Sequence, residues 1–485
     1  MKNFFLTAIF FLFITINFNQ TQAKVWEGSK NWTSEDWDGF SKWVGSKELP
    51  TDFLNSKYYE VMGKKLQINC ADLAYGLMLW YAKTNGLMFS TKNISYNPKL
   101  APKSGILTAK TNIQGFKFFS NELTQWDHIA DPDKRFFAFY DKMKSGLETF
   151  SLATYDTYPI ELQKIRPGDL YTWDMTDKEQ KITRHTFVIK ALNPDGTLDV
   201  FYSTQESEKN SLPPRLRTGT NPSIFNLLPK RMTIWGLKNQ YGLSRFRPNM
   251  NDWGFQYTEK DLTQYEDYSE EQFELAAQLG LGEFFKIFKQ KISQGDIPLE
   301  KELWSLLRNT CTDFKDRVKS VLQAEAAALM IQGCFKAGDF DAYSTPVGDS
   351  GKIQDFLSLK ELYFTHQNDP TSEPELFKNL SLIFSDSELS ESEKNNLLQI
   401  CTINIDENSK VPMESQKKLT LHDIYKTLKM GSPAKRAGLS ALHFNPNVSR
   451  YRRWGLDIGF DKKCWNEPGY YSYPDNFNYD LLISK

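Results

Sequence analysis

Cysteine and histidine are both scarce in this chain: five of each among 485 residues. With so few, every thiol and imidazole can be weighed singly. Charge of one sign is missing as well. Lys and Arg (59) balance Asp and Glu (60), leaving a net charge of -1, so no global field draws the chain to nucleic acid or to an anionic membrane. Past the N-terminus no stretch approaches roughly 18 uninterrupted apolar residues, which excludes a membrane span in the mature chain. There is no HExxH, Walker loop, GxSxG or Gly-rich dinucleotide turn, and so no cofactor or metal is expected. Asp339 and Asp341 with Asp349 form an acidic run, but the Gly and closing Glu of a calcium loop are misplaced; it reads as a turn. Internal repeats, heptads and low-complexity linkers are absent too. What is present, 40% hydrophobic and 25% charged residues, is a globular composition, and the length calls for two or three domains.

The N-terminus carries an address. Met1-Lys2-Asn3 is a short positive region, Phe4 to Ile16 is apolar, and a Thr-Gln-Ala site ends at Ala23. That pattern is a secretory signal peptide, too short in its apolar part to span a bilayer comfortably. Residues 1–23 are therefore expected to be removed after Ala23, and the protein to be exported to periplasm or medium. In an oxidising compartment the cysteines read differently. Cys311, Cys334, Cys401 and Cys464 lie in the C-terminal half, where two bridges are expected, and Cys70 stands alone.

Organisation follows from the patterning. Trp26 to Asp52 is rich in Trp, Ser and Asp and reads as a surface wrap. Cys70 to Lys83 is apolar nearly all round, which predicts a buried helix, with Asn69 as its N-cap and Asn85-Gly86 as its stop. Residues 90–160 read as loops with a polar helix around Phe136 to Lys144. Then the period changes to two. Arg166-Pro167-Gly168-Asp169 turns into a strand from Leu170, Arg184 to Leu192 is a second strand, and Asn193-Pro194-Asp195-Gly196 returns the chain into Thr197 to Thr204. Met232 to Trp235 is a candidate extension of that sheet. From Arg247-Pro248-Asn249 onward the pattern is mostly helical. The expected class is α+β: a papain-like helix-plus-antiparallel-sheet domain over 24–248, then a mostly helical domain over 249–485 with a Tyr/Asn/Pro-rich tail.

One constellation carries chemistry. A thiol in the first turn of a helix feels the positive end of the macrodipole, which favours thiolate. An imidazole on a neighbouring strand takes its proton, and a third polar group orients that ring. Cys70 and His185 supply the first two, with His128 as a competing base. For the third, a type I turn with a Gly bulge pairs Asn193 with Thr197 and sets Gln205 opposite His185, Ser203 lying diagonally on that face. A slip of one residue would substitute Thr204.

The ordered pieces Asn69-Cys70-Ala71-Asp72, Arg166 to Leu170 and Arg184-His185-Thr186 resemble the NlpC/P60 group of papain-like cysteine peptidases, over residues 70–205 only. This chain has Asn-Cys-Ala-Asp where that family usually has Asp-Cys-Ser-Gly, and its Cys-to-His spacing is longer. The Cys-x-Asp-x-Ala pattern is equally similar to transglutaminase-like proteases. The resemblance implies an exported hydrolase of amide bonds in peptides or cell-wall peptides, with Cys70 attacking, His185 as base and Gln205 orienting it. The opposing expectation is an inert binding or structural protein on such a scaffold, since a Cys in an apolar helix commonly serves as a small buried hydrophobe.

Among the C-terminal cysteines, a single helix from Phe314 to Gln332 would hold Cys311 and Cys334 on the order of 28 Å apart, too far for a bridge. Cys311 is thus expected to pair with Cys401 or Cys464, and Cys334 with the other.

Overall fold

A computed structural model describes residues 24–430 except 95–115, 145, 177–181, 204, 208–209, 212–213, 226, 235–236, 251–252, 254–255, 257, 296, 331–345, 371 and 405–417. Residues 1–23, expected to be a leader, lie outside the described residues, as do Cys334 and Cys464. The architecture is α+β. Helices α1 (Ser34–Gly45), α2 (Phe53–Met62), α3 (Cys70–Thr84) and α4 (Pro132–Lys144) precede and flank a six-stranded antiparallel sheet. Its strands are β1 (Thr157–Pro159), β2 (Leu170–Thr176), β3 (Ile182–Leu192), β4 (Leu198–Tyr202), β5 (Arg215–Thr220) and β6 (Leu243–Phe246), in the order β1-β6-β2-β3-β4-β5. Met232 lies in a strand, Lys230–Ile234, but that strand pairs with Leu237–Tyr241 in a separate ribbon and does not extend the sheet.

Local chemistry sets the ends of α3. The Asn69 side chain accepts from the Asp72 N–H, and the Asp72 carboxylate accepts from the Asn69 N–H, a reciprocal capping box. At the other end Asn85 is the C-cap and Gly86 takes φ 64°. The β3–β4 turn closes as its residues dictate: the Asn193 N–H donates to Thr197 O, and Gly196 sits at φ 72°.

Both faces of the sheet are covered. On one face Leu170, Val188, Phe201 and Phe246 share a core with α1, α3 and α4. On the other, Tyr171, Phe187, Ile189, Leu198 and Val200 pack against Phe284, Phe285, Phe288 and Ile292 of α6 (Leu281–Ile292), which follows α5 (Glu271–Gln278). A third core holds α7 (Leu299–Met330), α8 (Pro346–His366), α9 (Pro374–Ile383), α10 (Glu391–Ile400) and α11 (Leu421–Met430) together. The apolar cores therefore part between Ile292 and Leu303, not at residue 248, because α6 spends its apolar face on the sheet.

Two further expectations change. The 26–52 segment is core, not wrap: Trp26, Trp32, Trp37 and Phe40 are buried, and the Trp32 and Trp37 rings stack with centroids 3.9 Å apart. The helix read as polar, α4, buries Phe136, Phe137, Phe139, Tyr140 and Met143. The helix expected from Phe314 belongs to a longer one, since α7 starts at Leu299 and runs unbroken through Cys311 to Met330, and Cys311 is bridged to Cys401, one of its two expected partners. Among the described residues, no helix is long and apolar enough to cross a membrane.

Candidate functional site

Cys70 occupies the first helical position of α3 and is buried. Its Sγ lies 3.6 Å from the Thr149 hydroxyl, and that hydroxyl lies 2.8 Å from the hydroxyl of Thr186 on β3. Burial pushes the thiol pKa up, against the smaller opposing effects of Thr149 and the Thr186 backbone N–H. The nearby Asp72 charge adds to the rise. Asp72 is itself buried; one carboxylate oxygen serves the capping box and the other, Oδ1, makes no hydrogen bond. Desolvation raises its pKa to about 7. The helix dipole thus acts on a thiol whose surroundings favour the neutral form.

His185 is on the other side of the sheet. It pairs across the ladder with Trp173, its ring centroid 5.5 Å from the Trp173 ring and 4.6 Å from that of Phe187. Phe187 belongs to the α6-side core, and Trp173 packs against that core. Side chains alternate along a strand, so once Thr186 points at Thr149 and Cys70, His185 must point away. The expected Cys70–His185 pair is not assembled. His128, the competing base, is exposed in a loop.

The expected third member moves for a separate reason. The β3–β4 register begins as the turn requires, with Leu192 opposite Leu198, but slips at Lys190, so that Ile189 faces Val200 and Val188 faces Phe201. The bulge lets the Lys190 ammonium reach the carbonyls of Val44 and Ser46 at the end of α1. The β3–β4 pairing stops at Val188 and Phe201, and Gln205 pairs instead with Ser211 in a short ribbon of its own. Ser203 donates to Ile68 O, 3.1 Å away, just before α3. Asp169, from the Pro-Gly-Asp-Leu stretch, is committed to structure: its carboxylate receives the Arg245 guanidinium at 2.7 and 2.8 Å.

A different place in the fold has the form of a binding site. Where the sheet half meets the helical half, residues 221–223, α6, α7 and α8 enclose a cavity of about 890 Å³. Asp355 of α8 is buried there and receives the Ser223 hydroxyl. Burial foremost, and then the charge of Asp313, raise the Asp355 pKa to about 6, while Ser223, Asn221 and the charge of Lys289 draw it down. Beside the cavity Arg217 of β5 clamps Asp313 and Asp316 of α7 at 2.6 and 2.9 Å, joining the two halves. Sequence patterning missed this cleft because no helix was expected where α8 runs and Asp349, read as part of a turn, lies in that helix. The spacing of Phe356, Leu359 and Tyr363, all buried in the helical core, was the signal available.

No group of three or more His, Cys, Asp or Glu among the described residues is placed to hold a metal ion. No family model, curated protein or solved structure matches the chain.

Proposed function

We propose that this is an exported binding protein in which Cys70 is a structural residue. The observation that carries the reading is the side-chain alternation of β3, which offers Cys70 a threonine hydroxyl in place of an imidazole. Peptidase chemistry of the NlpC/P60 type needs a base within hydrogen-bond reach of the sulfur, and burial further disfavours the thiolate. Export is supported by the N-terminal leader pattern and by the Cys311–Cys401 bridge, a bond favoured outside the reducing cytosol. Binding is supported by the interlobe cleft, whose volume is in the range of small-molecule sites.

The test is alkylation of the mature protein by iodoacetamide at neutral pH, followed by peptide mapping, together with a hydrolysis assay on cell-wall peptides. Cys70 is expected to stay unmodified until denaturant is added, and wild type and Cys70→Ala are expected to be alike in the assay. Rapid modification of native Cys70, or peptide cleavage lost in Cys70→Ala, would restore the hydrolase.

A further inference from the structure

The cleft at the junction of the two halves has a chemistry of its own, and its assignment rests on the reading of the protein as a binder. Its walls bring four carboxylates, Glu283, Glu302, Asp355 and Glu361, against two lysines, Lys286 and Lys289. Both lysines are already engaged. Lys289 holds Glu302 at 3.2 Å, and Lys286 lies 3.9 Å from Glu283. The neighbouring cation, Arg217, is held by Asp313 and Asp316. Asp355 is 4% exposed and has no ion-pair partner; the hydroxyl of Ser223 is its hydrogen-bond donor.

A second, independent feature points into the same space. Asn221 lines the cavity and is also 4% exposed, yet neither its amide nitrogen nor its amide oxygen makes a hydrogen bond of normal geometry. Its amide is near enough to Asp355 to favour the carboxylate, as does the charge of Lys289. Buried side-chain amides are ordinarily satisfied, so an unsatisfied one on a cavity wall marks where another molecule's polar groups belong.

We infer that the cleft binds a small organic cation, a primary amine or guanidinium, whose charged group pairs with Asp355 and donates to the Asn221 amide oxygen. Charge decides among ligand classes. An anion would meet a buried carboxylate, and a neutral polyol would leave that carboxylate uncompensated in a low-dielectric site. A cation supplies the direct ion pair that Lys289, committed to Glu302, does not make with Asp355, and several N–H donors at once. Glu361, exposed on the same wall of α8, extends the negative potential toward solvent and would guide a cation inward.

The test is isothermal titration calorimetry on the full mature protein with agmatine and cadaverine, and with 1,5-pentanediol and glutarate as neutral and anionic counterparts of cadaverine. At least one amine is expected to bind, and pentanediol and glutarate are not. Asp355→Asn preserves the side-chain shape and should weaken amine binding about tenfold or more. Exposed Glu361→Gln should weaken it a few-fold with the fold undisturbed, each variant's circular dichroism being checked against wild type. Absence of heat with both amines at millimolar concentration, as for a cleft that holds only water, would overturn the assignment. So would equal binding of pentanediol, or amine binding unchanged in folded Asp355→Asn. Cys70 alkylation is read separately, so a failure here is distinguishable from failure of the structural role given to Cys70.

Discussion

Thr186 stands toward Cys70 through a shared partner, the Thr149 hydroxyl, which lies 3.6 Å from the sulfur and 2.8 Å from the Thr186 oxygen. The next residue back along the strand, His185, is thereby committed to the far face, against Trp173 and Phe187. One peptide unit of strand separates a thiol–imidazole pair from a thiol–hydroxyl chain.

The first consequence concerns that chain. Thr186→Val keeps the volume but leaves the buried Thr149 hydroxyl short of a partner, and should cost roughly 1–2 kcal/mol in urea unfolding. His185→Ala, in contrast, should leave the alkylation rate of Cys70 unchanged. A clear change in that rate would show that the ring does act on the sulfur.

Asp72 predicts a pH dependence with a definite sign. Its pKa rises from 3.8 to about 7 in the fold, so the folded state favours the protonated form. Below about pH 4 the group is protonated in both states and costs nothing. Between about pH 4 and 7 the unfolded chain gives up its proton first, and stability falls by up to about 1.4 kcal/mol per pH unit before levelling off. Asp72→Asn should gain stability over wild type at pH 8 relative to pH 4, measured by urea midpoints. A difference between the two proteins that stays constant with pH would refute the raised pKa.

The Cys311–Cys401 bridge closes a separation of 90 residues and ties α7 to the end of α10. Removing it as the Cys311→Ala/Cys401→Ala pair should lower stability by about 2–4 kcal/mol, and the loss should concentrate in the helical half. Hydrogen exchange would locate it there. Non-reducing peptide mapping is expected to show the 311–401 link; a Cys311–Cys334 link would contradict the continuous α7.

Gly196 is required twice. Its φ of 72° suits glycine, and a Cβ there would run into the carbonyl oxygen of Lys289 on α6. Gly196→Ala should therefore destabilise by roughly 1–3 kcal/mol, more than turn strain alone accounts for. Gly219→Ala is a control, since it has a similar φ of 60° but open space around it. Equal effects at the two sites would remove the contact with α6 from the explanation.

How much of this was legible in the sequence depended on the range of the interaction. Asn69, Asn85 and Gly86 placed both ends of α3, and Asn193 to Gly196 specified the hairpin turn, because caps and turns are decided within a few residues. The continuity of helix from Phe314 to Met330 followed from local propensity alone. Which face of β3 meets α3 was not written locally. That strand is covered on both sides, with Val188 in one core and Phe187 and Ile189 in the other, so its hydrophobicity does not distinguish the side of Thr186 from the side of His185. Tertiary packing made that choice: α3 settled on the Val188 side, and the slip at Lys190, held by carbonyls of Val44 and Ser46 more than 140 residues away, ended the register that would have set Gln205 opposite His185. The cleft at Asp355 is tertiary for the same reason, since its walls come from segments far apart in the chain and only the docking of two separate cores brings them together.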